Sequence, residues 1–183
     1  MSISNKPHTP KLPVQYPPPA FEQKNCAPSP VANLIARVQQ LPRPLVFTNG
    51  VFDLLHRGHV TYLAQARSLG ASLIVALNSD ASTRRLGKGG DRPINRLEDR
   101  AAVMAALEAV NLVTWFEEDT PLTLIRALRP DVLIKGGDWP AQAIVGADYV
   151  IGWGGQVHSI PFLHQKSTTA VLDAIRKNIN KTI

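Results

Sequence analysis

The chain has 183 residues, 44% hydrophobic and 19% charged, a balance that excludes a wholly disordered or fibrous protein and fits one compact domain. Its single cysteine, Cys26, rules out an internal disulfide framework and a multi-cysteine zinc site, and no apolar run approaches the roughly 20 residues of a membrane span. The formal charge of +6 points towards nucleic acid, yet residues 44–163 carry eleven Lys/Arg against twelve Asp/Glu, so the excess sits at the two ends.

Ten of the fifteen prolines fall within the first 44 residues, including Pro17-Pro18-Pro19. Proline fixes φ and removes a backbone donor, so residues 1–30 read as a flexible, partly polyproline-II tail. Residues 31–183 then form a single domain. With no hydrophobic signal region at the N-terminus, the expected location is the cytoplasm, with no membrane partner. A first helix spans 31–41, with Ser29 as N-cap and Pro30 at the first helical position.

Short apolar runs then alternate with helix-period segments. Strands are expected at 45–49, 72–77, 112–116 and 131–134, with strand-like runs at 149–151 and 157–160. Helices are expected at 58–69, 97–110 and 121–128, and a last one starts at Ser167 with Val171, Leu172, Ile175 and Ile179 on one face. The alternation predicts an α/β, Rossmann-like three-layer sandwich with a mostly parallel sheet of about five strands. Ligands of such sheets bind at the carboxyl ends of the strands, at a topological switch point.

The loop after the first strand carries the most chemistry: Thr48-Asn49-Gly50-Val51-Phe52-Asp53-Leu54-Leu55-His56-Arg57-Gly58-His59. It leaves a buried strand and enters a helix whose first N–H groups form an anion site. Gly58, without a Cβ, lets a phosphate approach closely. His56 and His59, three residues apart, can both aim at one phosphate and stabilise charge growing on a pentacoordinate phosphorus. As isolated residues they would be a loop histidine and a helix cap, and two histidines alone make a weak zinc site.

Three further segments are candidates. Ser167-Thr168-Thr169 place hydroxyls at a helix start, which suits a polyphosphate and equally suits a plain cap, with Lys166 just before them. Lys135-Gly136-Gly137-Asp138-Trp139 follow the fourth strand. There the glycines leave room for a ligand, and Asp138 either accepts from a sugar hydroxyl, helps hold a metal, or makes an Asx turn. Trp139 either packs on the core or lines the pocket. Asn78-Ser79-Asp80 lead into a glycine- and charge-rich stretch at 84–93, expected to be a mobile loop rather than a helix or strand. Lys88 and Arg92 on it are either lid cations that close over phosphates or solvated surface charges.

The segment His56-Arg57-Gly58-His59 resembles the HxGH signature of the nucleotidyltransferase superfamily, which includes glycerol-3-phosphate cytidylyltransferase and, more distantly, class I aminoacyl-tRNA synthetases. The final Ser-Thr-Thr is similar to that superfamily's motif for the triphosphate tail. The body also resembles one subgroup, the adenylyltransferases acting on D-glycero-β-D-manno-heptose 1-phosphate. The matching stretches are 48–59, 78–86, 92–95, 106–110, 116–122, 129–139 and 167–169, of which Glu117-Glu118-Asp119-Thr120-Pro121 is especially characteristic. That last stretch is read physically as helix capping by Asp119 or Thr120.

The resemblance implies AMP transfer from ATP to the heptose phosphate, giving ADP-heptose and pyrophosphate for the lipopolysaccharide inner core. Mg²⁺ is the expected cofactor, its ligands unknown, and ATP the co-substrate; a homo-oligomer is allowed. His56, His59 and Lys88 become catalytic. Asn49, Gly50, Val51, Phe52, Gly58, Arg100, Asp138, Ser167, Thr168 and Thr169 become nucleotide-binding, and Asp53, Asp80 and Lys135 substrate-binding. For Arg100 a helix-surface charge is the plain alternative.

The subgroup is often fused behind a sugar kinase, for which 183 residues leave no room, so a stand-alone transferase is expected. Val51 stands where many relatives have Cys, and the loop at 87–91, which carries Lys88, is one residue longer than theirs. Nothing in the residues themselves chooses ATP over CTP. The rival readings are the same chemistry on another sugar or polyol phosphate, a nucleotide-sensing module without turnover, and an RNA-binding relative, which the net −1 body disfavours.

Overall fold

A computed structural model describes residues 16–87 and 92–164, together with Asn178. Five strands, β1 (Leu45–Gly50), β2 (Ser72–Asn78), β3 (Leu112–Phe116), β4 (Val132–Gly136) and β5 (Gln156–Ile160), form one sheet in the order β3-β2-β1-β4-β5. Every pairing is parallel, with Val46 opposite both Leu73 and Val132, Ile74 opposite Leu112, and Ile134 opposite His158. The fold is therefore the expected α/β Rossmann-like sandwich, with an all-parallel sheet.

Parallel strands covered on both faces read as continuous apolar runs, and Leu45-Val46-Phe47 and Leu73 through Leu77 are fully buried. Helices α1 (Val31–Gln39), α5 (Leu122–Leu128) and α6 (Ala147–Gly152) cover one face, where Leu34, Phe47, Ile74, Ile125 and Val150 meet. Helices α2 (Arg57–Arg67) and α4 (Leu97–Ala105) cover the other, around Val46, Leu63, Val75, Met104 and Ile134. No helix among the described residues is long and apolar enough to cross a membrane.

Several elements differ from the sequence-based expectations. Residues 149–151 lie in α6 instead of a strand. Gly146, at φ +88°, turns the chain into that helix, and the sheet edge is taken by β5. The stretch expected as loop after Asn78 begins with helix α3 (Asp80–Arg85), whose N-cap Ser79 accepts a hydrogen bond from the Ser82 N–H at 3.1 Å. The helix expected over 97–110 stops at Ala105 and continues as turns, Leu107 N–H to the Met104 carbonyl and Val110 N–H to that of Leu107. Pro30 is the N-cap of α1, the place expected for Ser29, and β4 runs two residues further than foreseen, taking in Lys135 and Gly136.

The Pro-rich region is docked over its second half. Ala20–Lys24 forms a 3₁₀ turn, Phe21 packs against the α2/α4 core, and the Cys26 N–H bonds to the Val113 carbonyl at 2.9 Å along the edge of β3. Covering an edge strand in this way removes a template for intermolecular pairing. Residues 1–15 and the expected last helix lie outside the described residues.

Candidate active site

The chain leaves β1 towards β2 and β3 on one side, while β4 and β5 lie on the other. The crevice between the ends of β1 and β4 is therefore the topological switch point. A cleft of about 630 Å³ opens there, with Asn49, Gly50, His56, His59, Lys135 and Trp139 among the residues along its walls.

The β1–α2 loop folds as its residue types require. Gly50 ends β1 with the Phe52 ring against it; a Cβ there would lie 2.8 Å from Phe52 Cε2. Phe52 takes φ +47°, a conformation that costs an L-residue energy and is held by its surroundings. Asp53 does much of that holding. Its buried carboxylate pairs with Arg92 Nε at 2.6 Å and accepts from the backbone N–H of Ile94 and Asn95, while Asn95 Nδ2 bonds its carbonyl at 2.8 Å. Arg100, 2% exposed, donates to the carbonyls of Val51 (2.8 Å), Asn78 (2.9 Å) and Asn95 (3.1 Å) and to Asp80 Oδ1 (2.7 Å).

His56 is the N-cap of α2, and its ring stacks on His59 with centroids 3.9 Å apart and planes 20° from parallel. Gly58 permits this arrangement, since a Cβ there would sit 3.0 Å from the His56 ring and 2.9 Å from the His164 carbonyl. Phe52 meets His59 edge-on at 5.2 Å. Burial first, and then the neighbouring His56, lower the His59 pKa from 6.5 to about 4, with the Leu54 backbone partly opposing them. His59 is therefore neutral at pH 7, a hydrogen-bond donor and not a standing cation.

That neutrality has a consequence for stability. Above about pH 6.5 His59 is unprotonated in both folded and unfolded chains and contributes no pH dependence. As pH falls from 6.5 towards 4, the unfolded chain takes up a proton that the folded chain refuses, so stability falls. For a half-buried ring the loss is on the order of 2 kcal/mol after allowing for solvent screening. Urea unfolding at pH 7 and pH 4.5 should show the wild type losing that much more than His59→Phe; equal losses would contradict the assignment.

The structure brings together much of the set expected from sequence. Asn49, Gly50, Val51, Phe52, Asp53, His56, His59 and Lys135 all line the cleft, and Gly58 lies buried between the two histidines. Five residues stand differently. The Asp53 carboxylate is occupied by Arg92 and two backbone N–H groups, which makes it a brace for the loop where direct sugar contact was expected. Arg100 is neither a nucleotide-facing cation nor a surface charge but a buried strut joined to three carbonyls. Its partner Asp80 opens onto a separate hollow shared with Glu22, Asn25 and Trp115. Asp138 is exposed and does not line the cleft, whereas the exposed Trp139 does. Arg92 is buried in its ion pair, so it is not a lid cation. Lys88, Lys166, Ser167, Thr168 and Thr169 lie outside the described residues.

Sequence reasoning missed Tyr62 and Phe162, which line the cleft beside His59. It also read the 117–121 stretch as capping only. Neither Asp119 nor Thr120 caps α5, whose N-cap is Pro121. Instead Asp119 pairs with Arg85 at 2.7 Å, Arg85 also bonds the Glu117 carbonyl, and Ser82 Oγ donates to that of Glu118 at 2.8 Å. These bonds pin the loop to α3 and leave Asp119, Thr120 and Pro121 on the cleft wall.

A parallel sheet with a stacked histidine pair at its switch point defines a phosphate-handling α/β protein. The cytidylyltransferase-like family model matches residues 47–171, and the chain belongs to that family. The D-beta-D-heptose 1-phosphate adenylyltransferase of Bordetella bronchiseptica is 58% identical over 148 residues, covering 80% of this chain and 91% of that protein. The bifunctional protein HldE of Hahella chejuensis is 57% identical over 134 residues, 73% of this chain, which spans only 28% of that longer protein. Among solved structures, the lipopolysaccharide core biosynthesis protein of Thermoplasma volcanium superposes with a TM-score of 0.54 at 26% identity, over 67% of this chain and 98% of that one.

Proposed function

We propose that the chain transfers AMP from ATP to D-glycero-β-D-manno-heptose 1-phosphate, giving ADP-heptose and pyrophosphate, a precursor step for lipopolysaccharide inner core. The observation that carries the reading is the stacked His56–His59 pair at the N-terminus of α2, lining the switch-point crevice. The identity to the Bordetella adenylyltransferase supplies the base and the acceptor. A cytoplasmic location follows from the substrates this reading assigns.

A heptose phosphate oxygen attacks the α-phosphorus of ATP in line. The bond between the α-phosphorus and the bridging oxygen breaks, and its electron pair leaves with pyrophosphate. The attacking phosphate is already ionised near pH 7, so positioning and charge stabilisation do most of the work. The His59 imidazole, neutral at pH 7, and His56 beside it donate N–H groups to oxygens that gain charge in the transition state, and the first N–H groups of α2 reinforce them. Lys135 adds a cation on the β4 wall. Ser167, Thr168 and Thr169 are assigned to the triphosphate tail on the resemblance of that segment to the superfamily's motif. Among the described residues no cluster of His, Cys, Asp or Glu fits a metal ion. Mg²⁺ would enter as the ion carried on ATP, where it would neutralise charge on the phosphates.

The test is pyrophosphate release with Mg²⁺, offering ATP or CTP with heptose 1-phosphate or glycerol 3-phosphate. Release with ATP and heptose 1-phosphate alone is expected. Release with another pair would keep the chemistry and overturn the substrate assignment. Silence in every pair from folded protein that still binds ATP would leave a nucleotide-sensing module.

A further inference from the structure

Tyr62 is 2% exposed, its hydroxyl lies 2.5 Å from Thr48 Oγ1, and its ring lies against Gly136. Thr48 belongs to β1 and Gly136 to β4, the two strands that flank the switch-point crevice, and Tyr62 belongs to α2. One side chain thus joins three elements beneath the cleft. His59 stands three residues before Tyr62, so the two share a helix face. Phe162 closes the group, tilted on Tyr62 at 5.5 Å and edge-on to His59 at 6.3 Å. It fits because residue 136 is glycine: a Cβ there would lie 2.7 Å from Phe162 Cζ and 3.3 Å from Tyr62 Cε2.

We propose that the Tyr62 hydroxyl is a positioning group for the transfer reaction: it ties α2 to β1 while its ring rests on β4, and thereby fixes where the His59 ring stands. Phenylalanine would fill the same space, so the hydroxyl needs its own reason to be buried. A buried phenol must find a partner, and it finds Thr48 on the β1 wall of the crevice. Burial raises the Tyr62 pKa despite the opposing bond from Thr48. The group stays protonated at working pH and acts through His59, with no proton of its own to transfer.

The inference rests on the transfer reaction proposed above, and its test separates the two. Tyr62→Phe is expected to lower kcat about tenfold or more, because small misplacements of a catalytic group are costly, with KM for ATP and sugar phosphate within about threefold. Thr48→Val should give a similar loss and the double variant no more than the larger single, since both break one tie. Thr48→Ser keeps the oxygen and should stay within about threefold of wild type. In the substrate-free protein, NMR titration of the His59 ring should move upward in Tyr62→Phe as α2 loosens. Wild-type kcat in Tyr62→Phe, additive losses in the double variant, or an unmoved His59 titration would each overturn the tie. If the wild type shows no turnover, a shifted His59 titration still upholds the tie while the transfer reading fails.

Discussion

His59→Ala is expected to lower kcat for ADP-heptose formation by about 10²–10³-fold, the usual cost of removing one preorganised donor to a developing oxyanion. KM for ATP should change little, because the helix N-terminus and the remaining cleft still hold the triphosphate. The effect is attributed to the N–H and not to charge, since His59 titrates near 4 and is neutral at assay pH. His59→Gln, which keeps a donor, should recover part of the loss. Alanine also removes a ring that packs against Phe52 and His56. Steady-state kinetics should therefore be read beside thermal unfolding, and a kcat loss with unfolding near wild type is the expected pattern. A variant that keeps wild-type kcat would remove His59 from the chemistry.

The largest stability effect is expected at Asp53. Asp53→Ala leaves Arg92 buried without its partner and frees the backbone N–H groups of Ile94 and Asn95. Breaking a buried ion pair from one side costs about 3–5 kcal/mol. In a domain of this size that corresponds to a fall in melting temperature of roughly 10 °C. The same carboxylate holds the turn in which Phe52 sits at φ +47° below the histidines, so activity should fall with stability, through kcat more than KM. Calorimetry and kinetics on the same preparation check both. A melting temperature unchanged within about 2 °C would mean that the loop is held by other contacts.

How far the sequence could be read depended on how local each signal is. The buried strands were plain because both faces of a parallel sheet are covered, so residues 45–47 and 73–77 are apolar without interruption. The histidine loop was plain because strand, glycine, two histidines and helix follow one another within a dozen residues. Helix α3 was hidden because Asp80-Ala-Ser-Thr-Arg-Arg contains weak helix formers; the Ser79 cap and the bonds from Arg85 and Ser82 to the Glu117 and Glu118 carbonyls hold it. Tyr149-Val150-Ile151 has strand propensity, overridden by the Gly146 turn and by burial of Val150 in the core.

The polar braces were illegible for a different reason. Arg92 and Asp53 are 39 residues apart, and Arg100 reaches back 49 residues to Val51. No local pattern distinguishes such a strut from a surface charge or a ligand contact, so Arg100, Asp53 and Asp80 were all assigned to ligands. Tyr62 lay within a helix-period run, where an aromatic reads as core. Only the fold shows its hydroxyl on Thr48 of β1.

The most direct test of the account is the fate of the α-phosphate. ATP labelled with ³²P at the α-position is incubated with heptose 1-phosphate, Mg²⁺ and either wild-type or His59→Ala protein, and the products are separated. Label is expected in ADP-heptose, equimolar with pyrophosphate, and nearly absent from it with the variant. Label that stays in ATP with a folded, ATP-binding wild type, or equal labelling by the variant, would contradict it.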